Sequence, residues 1–456
     1  MMNVSYNTNN LRPLPPKQKK VKKPKAGFNP IHPLVSDHQG RIFELREYIA
    51  LGCIGLNTWT PLTQEDVIPM PYGSELLFLK DRSPVLYHIR KKQVEIVDEN
   101  PYEPGTPLYP VAIFNSPGFA VTHVCPYVEH KNASLLPLFS YGACGFSKNK
   151  IVTASVQVDW EKRQDLRKMP VHKVKAGIET YIKQMPENRL RRHLEKCALT
   201  YSCPAAKNFF IGRCEAPLPT SRNCNARCIG CLSLQSNSGM SCSQQRIAFT
   251  PSPEEIAEIA LAHFRKVPKP VVSFGQGCEG DPLLESKVIA SAIQIIRHHT
   301  SKGIINLNTN ASLPKAIESL CNVGLDSMRV SINSFQPHQY HAYFRPASYQ
   351  FEDVIQSIDI ALRLGKHVSL NYLHFPGVTD HPHEVKALTS FLKKNPIHLI
   401  QWRNLNIDPL IYYQAMRSNT DQNLEYPMGI RQLIQYIQST FPKIKHGYFN
   451  PYFRIV

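Results

Sequence analysis

From about residue 205 the chain alternates strand-like and helix-like segments at intervals of about thirty residues, and this rhythm limits the fold more than any other feature. Val271-Val-Ser-Phe, Ile304-Ile-Asn-Leu, Ser327-Met-Arg-Val-Ser-Ile, His367-Val-Ser-Leu-Asn-Tyr and Ile397-His-Leu-Ile-Gln-Trp read as buried strands. Asn208-Phe-Phe-Ile-Gly reads as the strand that opens the series. Between them lie helical stripes. Ile256, Ile259, Ala260, His263, Phe264 and Val267 share one face of a 253–267 helix. Val288, Ile289, Ala292, Ile293 and Ile296 share another, as do Phe351, Val354, Ile355, Ile358 and Leu362 ahead of Gly365, and a further helix is expected over 381–395. Ser312 and Gly324 read as the cap and stop of the helix between them. Successive βα units require a parallel sheet, open or closed into a barrel, and such sheets gather their chemistry at the C-terminal ends of the strands.

The first part of the chain has another texture. Residues 31–172 carry short apolar runs separated by turn residues, such as Glu75-Leu-Leu-Phe-Leu, Pro84-Val-Leu-Tyr-His-Ile, Tyr109-Pro-Val-Ala-Ile-Phe and Ile151-Val-Thr-Ala-Ser-Val-Gln-Val. This predicts a β-rich or α+β accessory domain. A helical connector follows over 173–204, where Arg189, Arg191, Arg192 and His193 cluster as a phosphate contact or a solvated helix face. Residues 416–456 read as a helix, including Met428-Gly-Ile-Arg-Gln-Leu-Ile, and an aromatic tail, Gly447-Tyr-Phe-Asn-Pro-Tyr-Phe, for packing or for covering a substrate. The net charge of +18 points to a polyanionic partner, and residues 1–30 supply seven of those charges in a Pro-rich segment expected to be disordered. The remainder is still basic. No run of eighteen apolar residues spans a membrane, no secretory leader is recognisable, and twelve scattered cysteines fit a reducing cytoplasm better than a disulfide scaffold.

Chemistry enters with Cys224-Asn-Ala-Arg-Cys228-Ile-Gly-Cys231. Three thiolates on one loop can hold three irons of a cubane cluster and leave the fourth iron open to a small molecule. Polar groups then follow the strands in order. Gly275-Gln-Gly-Cys-Glu-Gly-Asp-Pro lets a backbone approach a ligand closely and brings the carboxylates of Glu279 and Asp281. Asn308, with its neighbours Thr309 and Asn310, suits ribose hydroxyls; Ser331 and Asn333 close the next strand; Phe375-Pro-Gly-Val offers a turn for an adenine edge; Gln401 and Arg403 end the last.

With these residues in view, the segment 205–415 resembles the radical S-adenosylmethionine (radical SAM) superfamily. The resemblance rests on Cys224-x3-Cys228-x2-Cys231 and on the loop Gly277-Cys-Glu-Gly-Asp-Pro282. It implies an α/β fold, a partial (β/α)6 barrel, with a [4Fe–4S] cluster on Cys224, Cys228 and Cys231. SAM would chelate the open iron, and Asp281, or Glu279 in its place, would hold its amino group. Gly277, Asn308, Ser331, Asn333 and Gly377 would line the rest of the SAM site. The implied activity is reductive cleavage of SAM to a 5′-deoxyadenosyl radical, with a one-electron reductant such as a flavodoxin or ferredoxin and an RNA or protein substrate suggested by the basic charge. The chain departs from the family's pattern at Gly230, where an aromatic residue is usual, and at Asp281, where Glu is common.

Other readings of the same residues stay open. The triplet with Cys214 or Cys242 as a fourth ligand would make a zinc site on a non-catalytic nucleic-acid-binding protein. Cys197, Cys203, Cys214 and Cys242 fit no tight auxiliary-cluster pattern, and Cys278 is either a hydrogen-atom donor or a small apolar side chain. Arg403 meets an anion or pairs with a neighbouring acid. Cys53, Cys125 and Cys144 read as structural.

Overall fold

The protein is described from a computed structural model over residues 29–55, 58–235, 241–416 and 426–453. The basic segment 1–28 lies outside these residues.

Short antiparallel strands, β1 to β15, occupy His32 to Gln157 and build two sheets of seven and four strands with two smaller pairs. This is the expected β-rich region. Ala50, Leu62, Ala143, Val152 and Ala154 pack one of its small cores. Three helices follow: α1 (Val171–Gln184), α2 (Arg189–Leu199) and α3 (Pro204–Ile211). The segment expected as the opening strand, Asn208 to Gly212, is the end of α3. Pro204 starts that helix at its first turn and Gly212, at φ +68°, closes it in the left-handed region. Phe209 and Phe210 are both fully buried, Phe209 stacked on Tyr181 at 4.6 Å, so no periodicity marks the helix in the sequence.

The parallel sheet begins instead with β16 (Glu215–Pro217). It continues in sequence order through β17 (Val271–Phe274), β18 (Ile304–Thr309), β19 (Ser327–Ile332), β20 (His367–His374), β21 (Leu399–Asn404) and β22 (Lys445–Gly447). Every adjacent pair is parallel. The α/β partial barrel is therefore present, and its seventh strand comes from the C-terminal region. Helices α4 (Pro253–Lys266), α5 (Ser286–His299), α6 (Pro314–Asn322), α7 (Pro337–Phe344), α8 (Phe351–Arg363), α9 (Pro382–Lys394), α10 (Pro409–Met416) and α11 (Ile430–Thr440) complete the units. Ser252 and Glu255 close a capping box on α4, whose predicted stripe is the buried one. Ser312 is not a helix cap; α6 starts at Pro314, and the Ser312 hydroxyl accepts from the Asn225 amide at 2.9 Å.

The β-rich region docks on the rim of this sheet. Asn404 at the end of β21 accepts from the Val121 N–H at 2.8 Å and donates to the Phe119 carbonyl at 2.9 Å. Asp408 accepts from the Tyr127 hydroxyl and the Leu136 N–H at 3.1 and 3.2 Å. At the seam between β16 and β22, Arg163 bonds the Glu215 carboxylate and the Asn450 carbonyl at 3.1 and 2.9 Å. Among the described residues no helix is long and apolar enough to cross a membrane.

Candidate functional site

Two loops meet at the C-terminal rim. The first, after β16, carries Cys224, Cys228 and Cys231; the second, after β17, carries Gly275 to Asp281. Backbone bonds join them: Gly280 N–H to the Ser221 carbonyl at 2.7 Å and Asp281 N–H to the Asn223 carbonyl at 2.9 Å. Gly280 is required for this approach, because a Cβ there would lie 1.8 Å from the Asn223 carbonyl oxygen.

Glu279 stitches the same seam from the side. One carboxylate oxygen accepts the Thr220 and Ser221 N–H groups at 2.8 and 2.9 Å, and the other accepts Gln276 N–H at 2.7 Å. Burial raises its pKa to about 7 against the pull of those N–H groups. Asp281 is equally occupied, by the Leu283 N–H at 3.0 Å and by the Thr309 hydroxyl and Asn310 N–H at 2.7 Å. Both acidic residues thus hold loops and strand ends together, and Gly277 between the loops is exposed.

The cysteine loop is pinned on its other flank by α7. Ile229 N–H donates to the Tyr343 carbonyl at 3.0 Å and Arg227 N–H to the Phe344 carbonyl at 2.9 Å. A Cβ on Gly230 would sit 2.8 Å from the Tyr343 hydroxyl, so the space next to the third cysteine is taken by an aromatic from another element. Asn225 ties the loop to β18 through Asn310 at 2.8 Å.

The thiols themselves are partly buried. Burial first, then the Asp281 charge, pushes Cys224 up to about 12, and burial with the neighbouring Cys224 and Cys231 pushes Cys228 well above the ordinary thiol value. Thiols held this way become thiolates only when a cation neutralises them. Arg246 approaches Cys231 Sγ at 3.7 Å. A zinc ion would need sulfur–sulfur edges of about 3.8 Å at a Zn–S distance of about 2.3 Å. Among the described residues the compact group within 4.8 Å is His193, Cys197 and Cys278, not the triplet.

The remaining predicted residues fall in three places. Asn308 is held within the sheet, accepting from Asn306 at 2.7 Å and donating to the Gly275 carbonyl at 2.9 Å. Ser331 accepts from Asn371 Nδ2 at 3.2 Å, and the Asn371 amide oxygen is buried without a partner. Asn333 is fully buried behind the rim, donating to the Tyr412 hydroxyl and Gln339 carbonyl at 3.3 Å. Gly377 is not an open edge: its N–H donates to Asp380 at 2.6 Å, and a Cβ there would meet the Gly55 nitrogen at 2.0 Å.

Sequence reasoning missed a polar lumen inside the partial barrel. Ser327 donates to Asn306 and Asn306 to Ser273, at 2.7 and 3.2 Å. Asn450 bridges Glu215, Asn308 and Gln401 at 2.7, 3.3 and 3.2 Å. Arg329 donates to Gln401 at 3.0 Å, while its Nε is buried without a partner. Burial and the nearby Arg403 lower Arg329 to about 9. The Arg403 guanidinium lies 4.1 Å over the Tyr448 ring. A signal existed: Asn306 and Asn308, and Ser327, Arg329 and Ser331, alternate with apolar residues along strands otherwise made for a core. The basic cluster on α2 is neutralised locally, with Arg189, Arg191 and Arg192 paired to Glu255, Glu195 and Glu187.

Residues 218–388 match the family model described as Radical SAM superfamily. No curated protein matches the chain. Solved structures similar to it include native anSMEcpe with bound AdoMet, at 16% identity and TM-score 0.33, covering 42% of this chain and 52% of that one. A radical SAM methyltransferase from Sphaerobacter thermophilus is 15% identical with TM-score 0.32, over 44% of this chain and 63% of that one. Methylornithine synthase (PylB) is 14% identical with TM-score 0.34, over 62% and 77%. The chain thus spans about half the length of the first of these.

Proposed function

The chain carries a radical SAM domain over residues 218–388, and from that premise we propose that it is a radical SAM enzyme acting on a substrate with an anionic group. The observation that carries the reading is the double seam at the barrel rim, where Glu279 and Gly280 bind the cysteine loop to the Gly-rich loop. Cys224, Cys228 and Cys231 are the residues to hold a [4Fe–4S] cluster. When bound, cluster and SAM supply one-electron reductive cleavage of SAM and a 5′-deoxyadenosyl radical for hydrogen abstraction, given an external reductant of the flavodoxin or ferredoxin kind. The chain's own part is to hold and to exclude. Tyr343 fills the space beside Gly230, Asp281 orders the end of β18, and the exposed Gly277 backbone and the Ser331 hydroxyl would be available to SAM. The docked β-rich region shields the rim from water.

Oxygen-free reconstitution with iron and sulfide, then dithionite and SAM, tests the reading. The expected result is about four irons and four sulfides per chain, with 5′-deoxyadenosine formed by the intact protein and none by Cys228→Ala. A chain that takes up no sulfide and forms no 5′-deoxyadenosine overturns it in favour of a zinc-binding nucleic-acid protein.

The lumen argues for the substrate's charge. A half-buried guanidinium that donates to a neutral amide, beside a second arginine and with the Glu215 carboxylate only partly offsetting the two charges, favours the arrival of a further anion. The same preference for anions runs through the whole chain at +18. Arg329→Met is therefore expected to stabilise the substrate-free protein by about 1–3 kcal/mol in denaturant unfolding. A destabilised variant would mean that Arg329 serves the fold rather than a ligand.

A further inference from the structure

A second set of ligand-type side chains meets away from the triplet, on the outer flank of the Gly-rich loop. Helix α2 presents His193 and Cys197 four residues apart and hence on one face. Cys278 reaches the same point from the loop after β17. His193 Nε2 lies 3.5 Å from Cys278 Sγ and 3.5 Å from Cys197 Sγ, and all three ligand atoms fall within 4.8 Å of one another. For a tetrahedral zinc ion with Zn–N of about 2.05 Å and Zn–S of about 2.3 Å, the nitrogen–sulfur edge is about 3.6 Å. The observed spacing is that edge. Both cysteines are at least nine-tenths buried, and the imidazole is turned edge-on to Phe249, which sets the ring plane.

We propose that His193, Cys197 and Cys278 form a separate binding site for one zinc ion, which clamps helix α2 to the Gly-rich loop. The consequence follows from connectivity. Cys278 is flanked by Gly277 and by Glu279, the residue that stitches the cysteine loop, so an ion held there fixes both seams from behind. The Ile247 N–H bond to the Cys278 carbonyl at 2.8 Å already marks this loop as anchored on that side. Cys203, half-buried at the start of α3 with its N–H on the Cys197 carbonyl at 3.0 Å, brings a further thiol to the same neighbourhood. Three protein ligands leave one position of the tetrahedron for it or for water.

The test removes the triplet so that its thiols cannot compete. In the full chain with Cys224→Ala, Cys228→Ala and Cys231→Ala together, cobalt(II) is titrated without oxygen. One equivalent is expected to bind with thiolate-to-cobalt charge-transfer absorption and tetrahedral visible bands, and zinc is expected to displace it. Adding Cys197→Ala or Cys278→Ala should weaken that binding by about tenfold or more. Cys197→His restores a ligand and should bind one equivalent with lower charge-transfer intensity, because one thiolate fewer reaches the metal; this variant reports on the site even if the alanine forms fail to fold. Undiminished cobalt spectra in the Cys197 and Cys278 variants would overturn the proposal. So would a Cys197–Cys278 disulfide found by mass spectrometry in protein prepared without oxygen. Because the triplet is absent throughout, the result is independent of the radical reading.

Discussion

Gly280→Ala is expected to abolish function while its near neighbour Gly277→Ala leaves the fold intact. At Gly280 the new methyl group would stand 1.8 Å from the Asn223 carbonyl oxygen and 2.3 Å from its carbon, both backbone atoms one residue before Cys224. The backbone has no rotamer with which to yield, so the cysteine loop must move away from the Gly-rich loop. Overpacking of this kind costs about 3 kcal/mol, and displacement of the reacting groups by about 1 Å can cost about a hundredfold in rate. At Gly277 the nearest atom is the Gln244 amide nitrogen at 2.6 Å, the far end of a flexible side chain. That variant should stay within about 0.5 kcal/mol of the parent. Denaturant unfolding, iron content and 5′-deoxyadenosine formation read the contrast; equal behaviour of the two variants would show that the loops do not need their close approach.

Glu279→Ala should be the most destabilising change of a single side chain at the rim. It strips the acceptor from three N–H groups, those of Thr220, Ser221 and Gln276, in a place that water does not reach. Each buried donor left unmade costs about 1–3 kcal/mol, so three of them cost at least about 3 kcal/mol and up to about 9 kcal/mol if they add. Glu279→Gln is the informative companion. Its amide oxygen can still serve Thr220 and Ser221, but its NH2 would face the Gln276 N–H, donor against donor. About half of the loss should return. Chemical denaturation measures both, and a Glu279→Ala protein as stable as its parent would remove the carboxylate from the seam.

Legibility followed the range of the information. The strands over Val271–Phe274, Ile304–Thr309 and Ser327–Ile332 were readable because a buried parallel strand is a short apolar run, a property of neighbours along the chain. Helices with one apolar stripe, such as α4 and α8, were readable for the same reason. Helix α3 was misread, because Phe209 and Phe210 are buried on adjacent positions and leave no stripe. Helices α7 and α10 were not foreseen; their aromatic residues Tyr340, Tyr343, Tyr412 and Tyr413 are buried all round, which hides the period.

At the candidate site the division is similar. The spacing of Cys224, Cys228 and Cys231, and the glycines and acids of the loop from Gly275 to Asp281, are local and stood in the sequence alone. The work of Glu279 and Asp281 was not legible, since a carboxylate that looks free in a loop proves to be filled by N–H groups from residues 220, 221 and 310. Tyr343 beside Gly230, Arg329 in the lumen, Asn450 across to Glu215, and Cys278 against His193 each join segments that lie far apart in the chain. Pattern and spacing determine which elements form and where their polar ends lie, because those depend on neighbouring residues. Which atoms then touch depends on the path of the whole backbone, and only the tertiary structure decides it.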